Sequence, residues 1–443
     1  MSSKRHLMGA AALAVLALAA CGNRDVILPG ERLDPRAVTS PDGPAIVGEA
    51  APTTVALNLP GVRAGADWPQ RGSNATHAGG NNALAGGGAS RIWSAPIGAG
   101  DDRRHRIVAD PVVAGGLIYT LDSRSGVAAT ATNGGRVWFT DVRPAGERGD
   151  SVSGGGVAYD SGRVFVTTGW GELVALDARS GGVLWRQRVG APIGGAPTVA
   201  NGVVYVTGRN DTGWAVRAED GRMLWTVTGN GAASGVMGVS APAVSGGQVV
   251  FPFRSGQLLA ADVASGAQNW SAQVAGVRRG RSVAYMRDLT GDPVIVGNVV
   301  YAGTSSGRID AFDLTSGAQL WSSRDGAASP VLPVGNAVFA VNDQAQLVRL
   351  DARNGARVWA VDLPYYTDEK VKKQDSITAS LGPVMANGRL FVGSSDGVLR
   401  VFDPASGALI GQGAIPGGAA SAPVVAGGTL YIVGRDGQLH AFR

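Results

Sequence analysis

Cysteine is almost absent: Cys21 is the only one in 443 residues. Neither a disulfide framework nor a thiolate metal site can be built, so stability has to come from a packed core alone. Histidine is nearly as scarce, and His6, His77, His105 and His440 are scattered without the spacing of a zinc site. Charged residues make up only 16% of the chain and sum to +5, which gives no case for a nucleic-acid partner. The longest N-terminal apolar run, Leu7 to Ala20, has fourteen residues, short of the roughly 20 that a membrane-spanning helix needs. Glycine is abundant, with 68 residues, yet none falls in a G-x-x-x-x-G-K-(S/T) phosphate loop, and no G-x-S-x-G elbow leads into a helix.

What is present at the N-terminus is Lys4-Arg5, the apolar run, and then Leu18-Ala19-Ala20-Cys21. This resembles a lipoprotein signal peptide. An ordinary signal peptide with an incidental cysteine is the plainer alternative, but the sole cysteine falls at the end of the small-residue cleavage site. The resemblance implies that residues 1–20 are removed and Cys21 is acylated, giving an anchor with more than one acyl chain. Loss of Lys4 and Arg5 lowers the net charge from +5 to +3. Gly22 stands where an aspartate would retain a lipoprotein in the inner membrane, which favours the periplasmic face of the outer membrane. Residues 21–66 are rich in Pro, Gly and Ala without a sustained period, and read as a flexible linker before a body spanning 67–443.

Along that body a phrase Ala-x-Asp-x-x-(Ser/Asn)-Gly-x-x-x-Trp recurs. Its tryptophans are Trp93, Trp138, Trp185, Trp225, Trp270, Trp321 and Trp359, with Gly411 in the eighth equivalent place, and the intervals run from 38 to 52 residues. A period in the forties with several short apolar segments per repeat points to propeller blades of four antiparallel strands rather than helical solenoids. In one repeat, Asn298 to Gly303 is a β-branched and aromatic run, Gly307 to Phe312 alternates as a half-buried strand does, and Asp292-Pro293-Val294-Ile295-Val296 supplies the innermost strand. Thr304 to Gly307 and Thr315-Ser316-Gly317 are the turns, with Asp313 accepting from turn amides. Similar Pro-plus-apolar starts recur at Pro111, Pro197, Pro242, Pro330, Pro383 and Pro423.

The chain ends in mid-repeat at Gln438 to Arg443, and Arg91-Ile92-Trp93 supplies a tryptophan strand lacking its predecessors. Joined, they complete one blade and remove the free edges of an open array. The fold expected is therefore all-β, an eight-bladed β-propeller closed by pairing of N- and C-terminal strands, with seven blades as the alternative. The tryptophans are expected between neighbouring blades, each burying on the order of 150–250 Å².

The repeat resembles the pyrroloquinoline-quinone-like propeller repeat, and repeat, lipobox and linker together are similar to the BamB family of lipoproteins of the outer-membrane β-barrel assembly machinery. Two stretches sharpen this: Val236-Met237-Gly238-Val239-Ser240-Ala241-Pro242, and Arg281-Ser282 through Arg287-Asp288-Leu289-Thr290-Gly291-Asp292-Pro293. The resemblance implies that these loops lie together at one end and dock onto a periplasmic domain of the central barrel protein, BamA. Val236 and Met237 would then be apolar contacts, and Asp288 with its neighbour Arg287 polar ones. Met237 stands where arginine is common and Thr290 where a second acid is found, so the polar pairs stay open. The bland alternative has Val236 and Met237 seating a loop and Asp288 pairing with Arg287, Arg281 or Arg279.

The rival reading is a quinone-dependent periplasmic dehydrogenase. Such an enzyme needs calcium ligands and an aspartate base, but Asp177, Asp262, Asp313, Asp351 and Asp403 occupy one turn position of the repeat. The blades also lack long insertions to build a catalytic chamber. A scaffold for another envelope complex is the second alternative. Arg278-Arg279-Gly280-Arg281 and the segment Asp368 to Lys373 interrupt the period as charged loops; the second is expected to be solvated, and the first to touch the partner or anionic lipid. The reading is a non-enzymatic, lipid-anchored scaffold without cofactor or metal, with unfolded outer-membrane proteins as a second partner along exposed blade edges.

Overall fold

The computed structural model describes residues 55–147, 152, 154–231, 240–274, 276, 288–368, 370, 373, 374 and 376–443. Cys21, Val236, Met237, Arg287 and the basic run at 278–281 lie outside the described residues.

Eight sheets form the ring. Seven draw their four blade strands from one continuous stretch, at 112–141, 155–188, 198–228, 243–273, 294–323, 332–362 and 380–414, and are blades 1 to 7; Asn81–Asn82 adds a short parallel strand to the inner edge of blade 7. Blade 8 takes three strands from 424–442 and its outer strand, Arg91–Pro96, from the other end of the chain. There Trp93 stands opposite Ala441 and Ser94 opposite His440 in an antiparallel ladder. The expected closure is thus the observed one.

In each blade the strands run from the axis outward, so all connections from one blade to the next emerge at one end of the ring, together with the turns between second and third strands. Turns between first and second strands emerge at the opposite end. The expected alternation of Arg308–Asp313 is not observed: Ile309, Asp310, Ala311 and Phe312 are all buried. A middle strand lies between two neighbouring blades and has no solvent face. Alternation survives in outer strands such as Val183–Arg188, where one side looks outward.

The recurring phrase is a description of the seam between blades. Oδ1 of Asp313 accepts from the Thr315 and Ser316 amides at 3.1 and 2.8 Å and from Ser316 Oγ at 2.8 Å. Gly317 follows with φ of 72°, and a Cβ there would stand 2.6 Å from the Trp270 ring of the preceding blade. Trp270 Nε1 donates to Leu314 O at 2.7 Å. The other six tryptophans repeat this donation, Trp93 to Thr132, Trp138 to Ala178, Trp185 to Ala218, Trp225 to Val263, Trp321 to Ala352 and Trp359 to Pro404. Each indole therefore satisfies its N–H in the next blade while its ring fills the seam. At the eighth seam, Ala89 approaches Gly413 so closely that no Cβ fits there. At Gly411 itself a Cβ would meet only Val401 of the same blade, at 3.6 Å.

Residues 55–66, assigned by composition to the linker, lie against the ring. Leu57 and Leu59 pack on the core shared by blades 6 and 7, Arg349 Nη2 donates to Val55 O at 2.9 Å, and Asn336 Nδ2 to Ala56 O at 2.8 Å.

Candidate functional site

Two long connections, 229–242 and 274–293, leave the same end of the ring on adjacent blades. Their returning ends are tied together. Ser240 Oγ donates to Leu289 O at 2.6 Å, and the Ala241 amide donates to Asp292 Oδ1 at 2.8 Å. The tie joins residues 240 and 241 to residues 289 and 292.

Asp288, expected as a polar contact, is 2% exposed, with its Oδ1 3.9 Å from Arg254 Nε. Arg254 is itself fixed, its amide donating to Asp211 Oδ1 at 2.7 Å and its Nη1 to Arg209 O at 2.8 Å. The carboxylate thus faces inward and anchors the loop end. Sequence adjacency favoured Arg287, Arg281 and Arg279 as partners; Arg254, on the turn between second and third strands of blade 4, comes near only through the fold. Thr290, the other departure from the family pattern, donates to Ala327 O at 2.5 Å.

The connection from blade 6 to blade 7 reaches the same end. Its charged part was read as solvated, and the exposed Lys373 places Nζ 3.7 Å from Oδ2 of a half-buried Asp368. The sequence reading missed its apolar part: Tyr366 and Ile377 face each other across an isolated bridge and are 41% and 63% exposed. Their only signal in sequence is two β-formers bracketing a charged run.

The axis is occupied by the chain itself. Arg71, in a short 3-10 turn at Arg71–Ser73, places Nε 2.9 Å from Asp292 Oδ2 and 3.3 Å from Asp110 Oδ2. Asp110 precedes blade 1 and Asp292 precedes blade 5, so one guanidinium bridges opposite sides of the ring. Burial opposes the charge on Arg71, but Asp292 and then Asp110 outweigh it and raise the pKa above its ordinary value. Burial pushes Asp110 up, with Arg71 acting against it. His77 lies in the same network, its Nδ1 3.0 Å from Pro293 O and its Nε2 3.3 Å from Thr198 Oγ1. Burial holds His77 below the usual histidine range. None of these groups was legible as an axial cluster, since they are drawn from distant points of the chain.

His440 is buried in blade 8, between Ser94 Oγ at 2.8 Å and Pro416 O at 3.2 Å. His105 is held by Asp102, whose carboxyl lies far below the usual range chiefly through the Arg104 amide and then His105.

A family model described as outer membrane protein assembly factor BamB matches residues 123–361 and 364–443. The outer membrane protein assembly factor BamB of Yersinia pestis is 27% identical over 359 residues, covering 80% of this chain and 88% of that one. Among solved structures, BamB from Moraxella catarrhalis superposes with a TM-score of 0.67 at 20% identity, covering 80% of this chain and 99% of that one. The quinohemoprotein alcohol dehydrogenase of Comamonas testosteroni has a TM-score of 0.63 at 17% identity, covering 85% and 80%. The two solved structures show the same ring architecture, which by itself separates neither activity.

Proposed function

The chain belongs to the outer membrane protein assembly factor BamB family, and from that premise we propose that it is a non-enzymatic scaffold of the outer-membrane barrel assembly machinery. Anchored through an acylated Cys21 on the periplasmic face of the outer membrane, it binds a periplasmic domain of BamA. Confinement of both proteins to one membrane surface raises their effective concentration.

The observation that carries this reading is the tie between the two long connections, Ser240 to Leu289 and Ala241 to Asp292. A ring in which the returning ends of two loops are tied side by side is suited to presenting a composite surface. Val236 and Met237 are the contacts proposed on it, a methionine being adaptable to a partner's shape, with Arg287 as the charged neighbour. Asp288 acts one step back, holding the loop end through Arg254.

The non-enzymatic reading is supported by the axis, where Arg71 lies between the two carboxylates that face it. Substrate handling has its own support in the outer strands, which leave Val137, Phe139, Leu184, Leu224 and Leu320 between 43% and 53% exposed beside an unpaired edge. An extended barrel segment adds to such an edge by main-chain hydrogen bonds.

The test is affinity purification of the detergent-solubilised chain from its own envelope, beside Val236→Asp with Met237→Asp. Recovery of BamA with the wild type and its loss with the folded variant is the expected result. Recovery with both overturns the loop assignment, and absence from both overturns the function.

A further inference from the structure

The inner strands of a ring present their outer backbone groups to the axis, and here residues 68–76 take them up blade by blade. Trp68 exchanges both backbone hydrogen bonds with Val113 of blade 1, at 2.6 and 2.9 Å. Pro69 O accepts from the Tyr159 amide of blade 2 at 2.7 Å. Gln70 reads blade 3 in both directions, Nε2 donating to Val199 O at 3.0 Å and Oε1 accepting from its amide at 2.8 Å. Ala75 O and Thr76 O accept from Val244 of blade 4 and Ile295 of blade 5 at 2.7 and 2.8 Å. Between these, Arg71 reaches the two axial carboxylates.

We infer that the axis is a binding site for an extended, arginine-bearing peptide, and that residues 68–77 of this chain are its resident, exchangeable ligand. The receptor side stands without the ligand's help. Asp110 Oδ1 accepts from the Ala422 amide at 2.8 Å and Asp292 Oδ1 from the Ala241 amide at 2.8 Å, so blades 8 and 4 hold both carboxylates in place. The ligand side is built like a bound peptide, with main-chain pairing along strand edges and one charged side chain for register. Trp68 is its one large apolar anchor, and its Nε1 is buried without a hydrogen bond. Beyond the segment, Asn81 and Asn82 pair with Met385 and Ala386 on the axial edge of blade 7 and Leu84 is buried, while Gly86 and Gly87 are exposed before the outer strand of blade 8. This inference stands on the axial geometry alone and does not depend on the partner proposed above.

The test keeps the full mature chain and inserts a site-specific protease sequence between Gly86 and Gly87, both exposed. After cleavage, the ring is challenged with a fluorescent synthetic peptide of residues 64–84 and with the same peptide carrying Arg71→Ala. The expected result is exchange of the resident segment for the wild-type peptide, with the alanine peptide at least roughly a hundredfold weaker, because two buried carboxylates lose their cation. Asp292→Asn in the ring should narrow that gap. A cleaved ring that stays folded but never exchanges, or one that unfolds on cleavage, makes the segment an integral part of the core and overturns the inference. Equal binding of the two peptides overturns the role of the guanidinium.

Discussion

Ser94 and His440 are 346 residues apart in sequence and share a hydrogen bond of 2.8 Å inside the blade that closes the ring. Burial holds His440 below the ordinary histidine value, with Asp436 acting against it, and burial does the same for His77 on the axis. The unfolded chain takes up protons at these positions near pH 6.5, and the folded chain does not. Stability from the two groups is therefore complete above that value and is lost as pH falls below it. Melting temperature should drop between about pH 7.5 and 5.5, and His440→Gln should flatten part of that slope. A slope unchanged by the substitution would show that the clasp does not titrate.

The seam between blades 4 and 5 gives a pair of substitutions with ordered effects. Trp270→Phe removes the donor to Leu314 O and should cost about 1–3 kcal/mol in urea unfolding. Gly317→Ala should cost more, since its φ of 72° is strained for alanine and the new Cβ would stand 2.6 Å from the Trp270 ring. The reverse order would mean that the indole, not the glycine, sets the seam.

Asp288→Arg puts a second cation beside Arg254 in a buried position. A stability loss of about 3–5 kcal/mol is expected, with Asp288→Asn milder. Loss of a partner in Asp288→Arg therefore reports loop collapse unless the melting temperature is measured with it. A variant that keeps its stability and loses the partner would restore Asp288 as a direct contact.

Removing the axial cation should also enlarge the pH response of Asp110. Arg71→Ala leaves Asp110 and Asp292 facing each other, at a cost of about 3–5 kcal/mol near neutral pH. Burial already raises Asp110, and without Arg71 the folded state should hold its proton more tightly than the unfolded one. Stability from that proton is present at low pH and lost as pH rises, so the deficit of the variant should shrink towards about pH 4. Unfolding at several pH values checks this, and a deficit that widens in acid contradicts it.

The ring was legible because its determinants are local and repeated. Asp313, Gly317 and Trp321 stand four residues apart and the same spacing recurs along the chain, so blade number and closure followed from counting. Arg71, Asp110 and Asp292 were not legible, because opposite blades meet only at the axis and no local pattern marks the meeting. Asp288 shows the same limit at short range. Arg254, brought within 3.9 Å of it by the hairpin of blade 4, is 34 residues away in sequence and nothing local marks it. Alternation at Asp310 failed because a blade has neighbours on both faces, a property of the assembled ring and not of the strand.

The proposed docking surface is the end of the ring where the two tied connections emerge. Photo-crosslinking in native envelopes tests it, with the reactive residue at Met237 or at Val296, which is 42% exposed and lies near the turns of the opposite end. An adduct with BamA from position 237 and none from position 296 is the result predicted. An adduct from 296 alone, or from neither position while the chain is folded and in the membrane, would contradict it.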